Sequence, residues 1–68
     1  MYRVTHNGYS VEFFDNIDEV NKYIDSKIHK NLKVENEYVQ RIDAFKVIRI
    51  YQYNTLYSEM FLIEKIEY

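Results

Sequence analysis

The dipeptide Asn7-Gly8, near the start of the chain, most constrains the fold. Asn-Gly between two alternating runs is a strong signal for a β-hairpin, because both residues tolerate the positive φ angles of a tight turn. A two-residue turn there predicts that Thr5 lies opposite Ser10 and that Arg3 lies opposite Glu12. The apolar face of this hairpin is then predicted to hold Tyr2, Val4, His6, Tyr9, Val11 and Phe13.

A helix is predicted over residues 16–32. Asp15 or Asn16 is the expected N-cap, and Asn16 with Glu19 three residues later is typical of a capping box. Apolar residues then recur at spacings of three and four, which predicts one buried stripe. That stripe consists of Ile17, Val20, Ile24, Ile28 and Leu32.

A second hairpin is predicted from residues 38–53 and 57–67, which are rich in β-branched and aromatic residues. A two-residue loop at Asn54-Thr55 would place Ile50 opposite Glu59. A three-residue loop over Asn54–Leu56 instead matches apolar with apolar residues and opposite charges with each other, so this register is preferred. It pairs Ile50 with Met60, Ile48 with Leu62, Lys46 with Glu64 and Ala44 with Ile66.

The predicted fold class is α+β. Two hairpins and one helix in the order ββαββ suggest a four-stranded antiparallel sheet with the helix on one face. Since the chain has 68 residues, a single compact domain over residues 1–68 is expected.

The two faces of the second hairpin differ in character. One is aliphatic and is expected to pack under the helix; it holds Ile42, Ala44, Ile48, Ile50, Met60, Leu62 and Ile66. The other is largely aromatic, and Tyr, Phe and Arg are enriched at interfaces. Its predicted partner-binding residues are Phe45, Val47, Arg49, Tyr51, Tyr53, Tyr57, Phe61 and Ile63, with Glu59 and Lys65 beside them. The alternatives are a core face, with the register shifted, and a self-association face.

Composition narrows the functional classes. The chain has no Cys, which excludes disulfides and thiolate metal sites and favours a cytoplasmic location. The net charge of −2 gives no strong field to attract nucleic acid or an anionic membrane. No apolar run is long enough for a transmembrane helix, and no signal peptide is visible.

Catalytic and cofactor motifs are not found in the sequence. His6 is interpreted as a packing residue at the end of a turn, rather than a general base, and His29 as a solvated helix residue. The spacing of these histidines predicts no metal site, and one Gly cannot build a phosphate-binding loop. The acidic residues Asp18, Glu19 and Asp25 are interpreted as a solvated helix flank, with a secondary docking patch as the alternative. No enzyme activity and no cofactor are therefore predicted.

The function predicted from these features is protein binding. A small acidic chain without catalytic apparatus, encoded with the residue bias of an AT-rich genome, is similar in type to inhibitors and accessory proteins of phages and mobile elements. We expect it to cover a functional surface of a host or defence protein, and to form a homodimer through the sheet face or an edge strand. The alternative is a single-stranded nucleic-acid binder that stacks bases on the aromatic face.

Overall fold

The computed structural model describes residues 1–28, 33–54 and 57–66. Its elements, in chain order, are β1 (Tyr2–His6), β2 (Ser10–Phe14), α1 (Ile17–Lys27), β3 (Asn36–Asp43), β4 (Lys46–Asn54) and β5 (Tyr57–Lys65). The strands form one antiparallel sheet in the spatial order β2-β1-β5-β4-β3. The predicted four-stranded sheet in the order ββαββ is therefore wrong, because the described chain contributes five strands.

The fifth strand comes from a turn within the segment predicted to be one strand. Asp43 Oδ1 accepts a hydrogen bond of 2.7 Å from Phe45 N, which closes a tight turn between β3 and β4. Asp43 then lies opposite Lys46, and the register shifts between Arg41 and Asp43. Ala44-Phe45 carries no Gly, Asn or Pro, so Asp43 is the one local residue whose type favours this turn.

The first hairpin is offset by one residue from its predicted register. His6 lies opposite Ser10, and Val4 lies opposite Glu12, so the loop covers residues 7–9. Asn7 N donates to Met60 O at 2.8 Å, and Asn7 Oδ1 accepts from Met60 N at 3.0 Å. Asn7 thereby extends the β1–β5 ladder. Tyr9 N donates to His6 O at 3.3 Å across Asn7-Gly8, so the turn lies where it was predicted, but pairing with β2 begins one residue later, at Ser10.

The offset moves side chains to the other side of the sheet. Val11 and Phe13, predicted to be buried, are 47% and 55% exposed. The predicted apolar face is therefore wrong for β2, where a one-residue shift reverses every side chain. Both expected turn residues do adopt positive φ, at 54° for Asn7 and 84° for Gly8.

The helix begins as predicted and ends early. Asn16 Oδ1 accepts from Glu19 N at 2.9 Å, which confirms Asn16 as the N-cap. Glu19 Oε2 in turn accepts a hydrogen bond of 3.4 Å from Asp15 N. The helix ends at Lys27 because Ile28 is extended, so the predicted end at residue 32 is wrong. Leu32 and His29 lie outside the described residues.

The second hairpin has the preferred register. Ile50 lies opposite Met60, Ile48 opposite Leu62 and Lys46 opposite Glu64, which confirms these three predicted pairs. Ala44 lies in the turn before β4, so the predicted pair with Ile66 is wrong. The predicted loop residues Thr55 and Leu56 lie outside the described residues.

The helix covers the aromatic side of this hairpin, which reverses the predicted assignment of its two faces. The buried cluster consists of Val4, Val20, Ile24, Tyr51, Phe61 and Ile63. The reason lies in β1, which pairs with β5 and places Val4 opposite Ile63 and His6 opposite Phe61. Since α1 follows the β1–β2 hairpin and packs on the Val4 side, the same side of β4 and β5 becomes the core.

Candidate protein-binding surface

Half of the predicted partner-binding residues are in the core. Tyr51, Tyr53, Phe61 and Ile63 are at most 7% exposed, so their predicted exposure is wrong. Phe45 and Tyr57 are 50% and 43% exposed. Val47 and Arg49 are half-buried. Of the aromatic side chains predicted to contact a partner, Tyr51 and Phe61 thus fill the space between sheet and helix.

Several of these residues do meet in a cleft on the helix side. The cleft has a volume of about 270 Å³ and lies between the start of α1 and the β3–β4 turn. It is lined by Tyr2, Ile17, Asn21, Ala44, Phe45, Val47, Arg49, Ile63 and Lys65. Most of the lining is apolar, and its cationic groups come from Arg49 and Lys65.

The guanidinium of Arg49 is already engaged within the chain. It donates to Asn21 Oδ1 at 3.2 Å and to Glu37 Oε1 at 3.3 Å, and it lies 5.5 Å from the centre of the Tyr51 ring. Arg49 therefore links the helix to β3 across β4. Because its charge is compensated, it favours a structural role over capture of an anion.

Tyr51 remains neutral beside this charged pair. Burial raises the pKa of its phenol above 10.0; the Arg49 charge lowers that pKa, and the Glu37 carboxylate raises it. Burial, followed by the charge of Glu12, also raises the pKa of Tyr23. Both phenols are protonated at physiological pH, so they contribute packing and hydrogen bonding without charge.

A half-buried histidine and a buried carboxylate lie at the other end of the core. His6 Nε2 lies 3.5 Å from Glu59 Oε2, and the imidazole stacks on Phe61 with 4.5 Å between ring centres. Glu59 is 4% exposed. A general base must reach a substrate directly or through one water, whereas His6 Nε2 and Glu59 Oε2 have almost no accessible surface. The geometry supports the interpretation of His6 as a packing residue.

The acidic residues of the helix do not converge on one site. Glu19 takes part in the N-terminal cap through Asp15 N. Asp18 and Asp25 are exposed, and they are seven residues apart, about two turns. Carboxylates near a helix N-terminus interact favourably with its dipole, which accounts for Asp18 and Glu19.

The side of the sheet opposite α1 is the main exposed apolar surface, and we call it the open face. In the part of the chain that the structure describes, no element packs on this side. Alternation along the paired strands places Val11, Phe13, Tyr38, Ile48, Ile50, Met60 and Leu62 on it. Tyr38 is 53% exposed and Met60 is 38% exposed, while Ile48, Ile50 and Leu62 are half-buried.

Charged residues border the open face at one end. Arg3 donates to Glu64 Oε1 from Nε at 3.1 Å and from a terminal nitrogen at 2.9 Å. Lys46 lies opposite Glu64 on the next strand. An apolar centre with a charged margin is the arrangement expected of a protein interface. This surface was not predicted from the sequence, because the aliphatic residues were assigned to the core. The offset of the first hairpin and the turn between β3 and β4, neither of which was predicted, also determine which residues lie on it.

Comparison of the chain with protein-family models, with curated proteins and with solved structures gave no match. Within residues 1–28, 33–54 and 57–66, no helix has the length and apolar character needed to cross a membrane. The same residues contain no cluster of three or more side chains that could hold a metal ion.

Proposed function

We propose that this chain is a non-enzymatic protein-binding module that covers part of a partner protein with its open face. The observation that carries this proposal is the one-sided sheet, in which α1 buries one face and leaves an apolar second face uncovered. Contiguous apolar patches on small proteins mark interaction sites, because their exposure to water is unfavourable. Its most accessible large apolar side chains are Phe13, Tyr38, Val11 and Met60.

A protein partner fits this surface better than nucleic acid does. The chain has a net charge of −2, and Arg3 on the open face is already paired with Glu64. Binding of a nucleic-acid backbone depends on unpaired cationic groups. Of the three rings proposed for base stacking, Tyr51 and Phe61 are buried under the helix and only Phe45 is exposed, which disfavours the single-stranded nucleic-acid alternative.

The mechanism that this geometry favours is occlusion. A rigid sheet can cover a functional surface of another protein without chemistry of its own, as an inhibitor or accessory protein does. The bias toward Asn, Ile, Lys and Tyr supports an AT-rich bacterial or phage origin, with a cytoplasmic host or defence protein as the partner. In this mechanism the aromatic core packs against the other side of the sheet and keeps the open face rigid.

Charge placed on the open face should abolish partner capture without unfolding the protein. We expect tagged Val11→Glu and Met60→Glu to lose the proteins that the parent retains from host lysate, because a carboxylate in an apolar contact must be desolvated. Ile17→Glu is the matched control: Ile17 is 45% exposed and Val11 is 47% exposed, but Ile17 lies on the helix. Mass spectrometry identifies the retained proteins, and circular dichroism confirms folding.

The control variant should retain the parent's partners. If Val11→Glu and Met60→Glu also retain them, the open face is not the binding surface. If Ile17→Glu alone loses them, the partner binds at the cleft beside the helix.

A further inference from the structure

The outer strand β3 is exposed along its whole length. It comprises residues Asn36–Asp43, lies at the edge of the sheet next to β4, and has no buried residue. Val39 is 63% exposed and Tyr38 is 53% exposed. Proteins normally protect long edges with Lys, Pro or short strands, because an unpaired edge can bind another strand. β3 contains neither Lys nor Pro, and its register shift lies at its end, between Arg41 and Asp43, so residues 36–41 pair regularly; the opposite edge, β2, is short.

The hydrogen-bond pattern identifies the backbone groups that point outward from β3. Asn7 N donates to Met60 O, so even-numbered residues of β5 bond to β1. Lys65 N donates to Phe45 O, so odd-numbered residues of β5 bond to β4. Following this alternation through the two registers, even-numbered residues of β3 bond to β4. The outward N–H and C=O groups are those of Glu37, Val39 and Arg41.

We infer that β3 pairs with β3 of a second copy of this chain, antiparallel and centred on Val39. In this register Val39 lies opposite itself across a twofold axis, and Glu37 lies opposite Arg41 of the second copy. All the outward-pointing groups then meet in hydrogen-bonded pairs, giving about six backbone hydrogen bonds. The two five-stranded sheets become one continuous sheet.

The charged side chains of β3 favour this register over the registers shifted by two residues. Sliding the second strand by two residues in one direction places Glu37 opposite Asp43, which is a repulsive pair. Sliding it in the other direction places Glu37 opposite Val39, so its carboxylate faces no cation of the second copy. Within the described residues Arg41 forms no ion pair, and Glu37 contacts Arg49 through Oε1 only. Glu37 also accepts a hydrogen bond from the Tyr51 phenol, but a carboxylate has about four acceptor positions, so both side chains keep the capacity for the intermolecular contact.

The rest of the molecule is compatible with this pairing. The helix packs chiefly on β1 and β2 and reaches β4 through the contact between Asn21 and Arg49, while β3 lies beyond β4 at the sheet edge, so the outer edge of β3 is open to a second copy. A twofold axis perpendicular to the sheet keeps both helices on the same side. Tyr38 and Gln40 then pair across the axis on the other side, joining the two open faces into one larger surface. Pairing of β3 with a second copy does not depend on a partner protein bound to either open face.

Sedimentation analysis with charge-reversed variants tests the pairing. At micromolar concentration the parent should approach twice the chain mass of 8.4 kDa. Glu37→Arg and Arg41→Glu should each weaken self-association by about tenfold, because each places two like-charge pairs across the axis. An equimolar mixture of the two variants should recover the dimer mass, since both pairs are then complementary.

The control variant Lys22→Glu reverses an exposed charge on the helix and should leave the dimer intact. A parent that sediments as a monomer overturns the inference, and so does a dimer that neither charge reversal weakens. If Glu37→Arg fails to fold through loss of its Arg49 contact, Arg41→Glu alone decides between these results. Loss of partner capture by Val11→Glu with an unchanged dimer mass separates β3 pairing from the function of the open face.

Discussion

Replacing Ile24 with Asp should unfold the protein. Ile24 is fully buried between the helix and the sheet, in the cluster with Val4 and Phe61. Loss of a buried Ile side chain alone costs about 2–5 kcal/mol, and an unpaired buried carboxylate adds a desolvation penalty. A small domain has a total stability near the lower end of about 5–15 kcal/mol, so the variant should lack a cooperative transition. Far-ultraviolet circular dichroism with thermal melting measures this.

Lys22→Asp is the control on the same helix. Lys22 is exposed, so this change should lower the melting temperature only slightly. A parent-like transition in Ile24→Asp would show that α1 does not pack on the sheet as described.

Replacing Phe61 with Ala should remove most of the stability. Phe61 is fully buried, stacks on His6 at 4.5 Å and meets the Tyr51 ring edge-on at 6.0 Å between centres. Truncating a core Phe costs about 3–5 kcal/mol, through lost transfer free energy and the cavity that remains. Urea denaturation measures the loss as a lower midpoint.

The neighbouring residue provides the contrast. Met60 points to the open face and is 38% exposed, so Met60→Ala should cost about 1 kcal/mol or less. Equal losses in Phe61→Ala and Met60→Ala would mean that both faces of β5 are buried.

Sequence reasoning succeeded where the signal was local or pairwise. The cap at Asn16 depends on residues within one turn of each other. The register that pairs Ile50 with Met60 follows from matching side chains between two strands, and three of its four predicted pairs are present. In both cases the deciding residues contact each other directly, so composition and spacing carry the information.

Prediction from the sequence failed where the register or the turn of a hairpin depends on more than its own two strands. The Asn7-Gly8 dipeptide does form the turn, but Asn7 also bonds to Met60 on β5, and β2 pairs with β1 one residue later than the dipeptide alone predicts. The turn after Asp43 lacks the usual Gly or Asn in its centre, so β3 and β4 were merged into one predicted strand. A hairpin considered alone cannot supply either constraint.

The choice of buried face is the most consequential error. The register of the second hairpin defines two faces but not which one the helix covers. That choice depends on β1 pairing with β5, a contact between residues about sixty positions apart, as in Arg3 with Glu64. Three of the five aromatic residues predicted as a binding surface, Tyr51, Tyr53 and Phe61, are therefore buried, while Phe45 and Arg49 remain at an accessible cleft. The prediction of an uncovered sheet face is retained in the proposal, on the opposite side.

Thiol labelling tests the two-faced sheet most directly, because the chain has no Cys and one introduced thiol reports a single position. Val4→Cys and Val11→Cys make the same small change at sites that are 0% and 47% exposed. We predict that the thiol at position 11 reacts in the folded protein at nearly its rate in urea, whereas the thiol at position 4 reacts at least about a hundredfold more slowly, as expected for a group exposed only by unfolding. Similar labelling rates at the two positions in the folded protein would contradict the claim that one face of the sheet is buried and the other exposed.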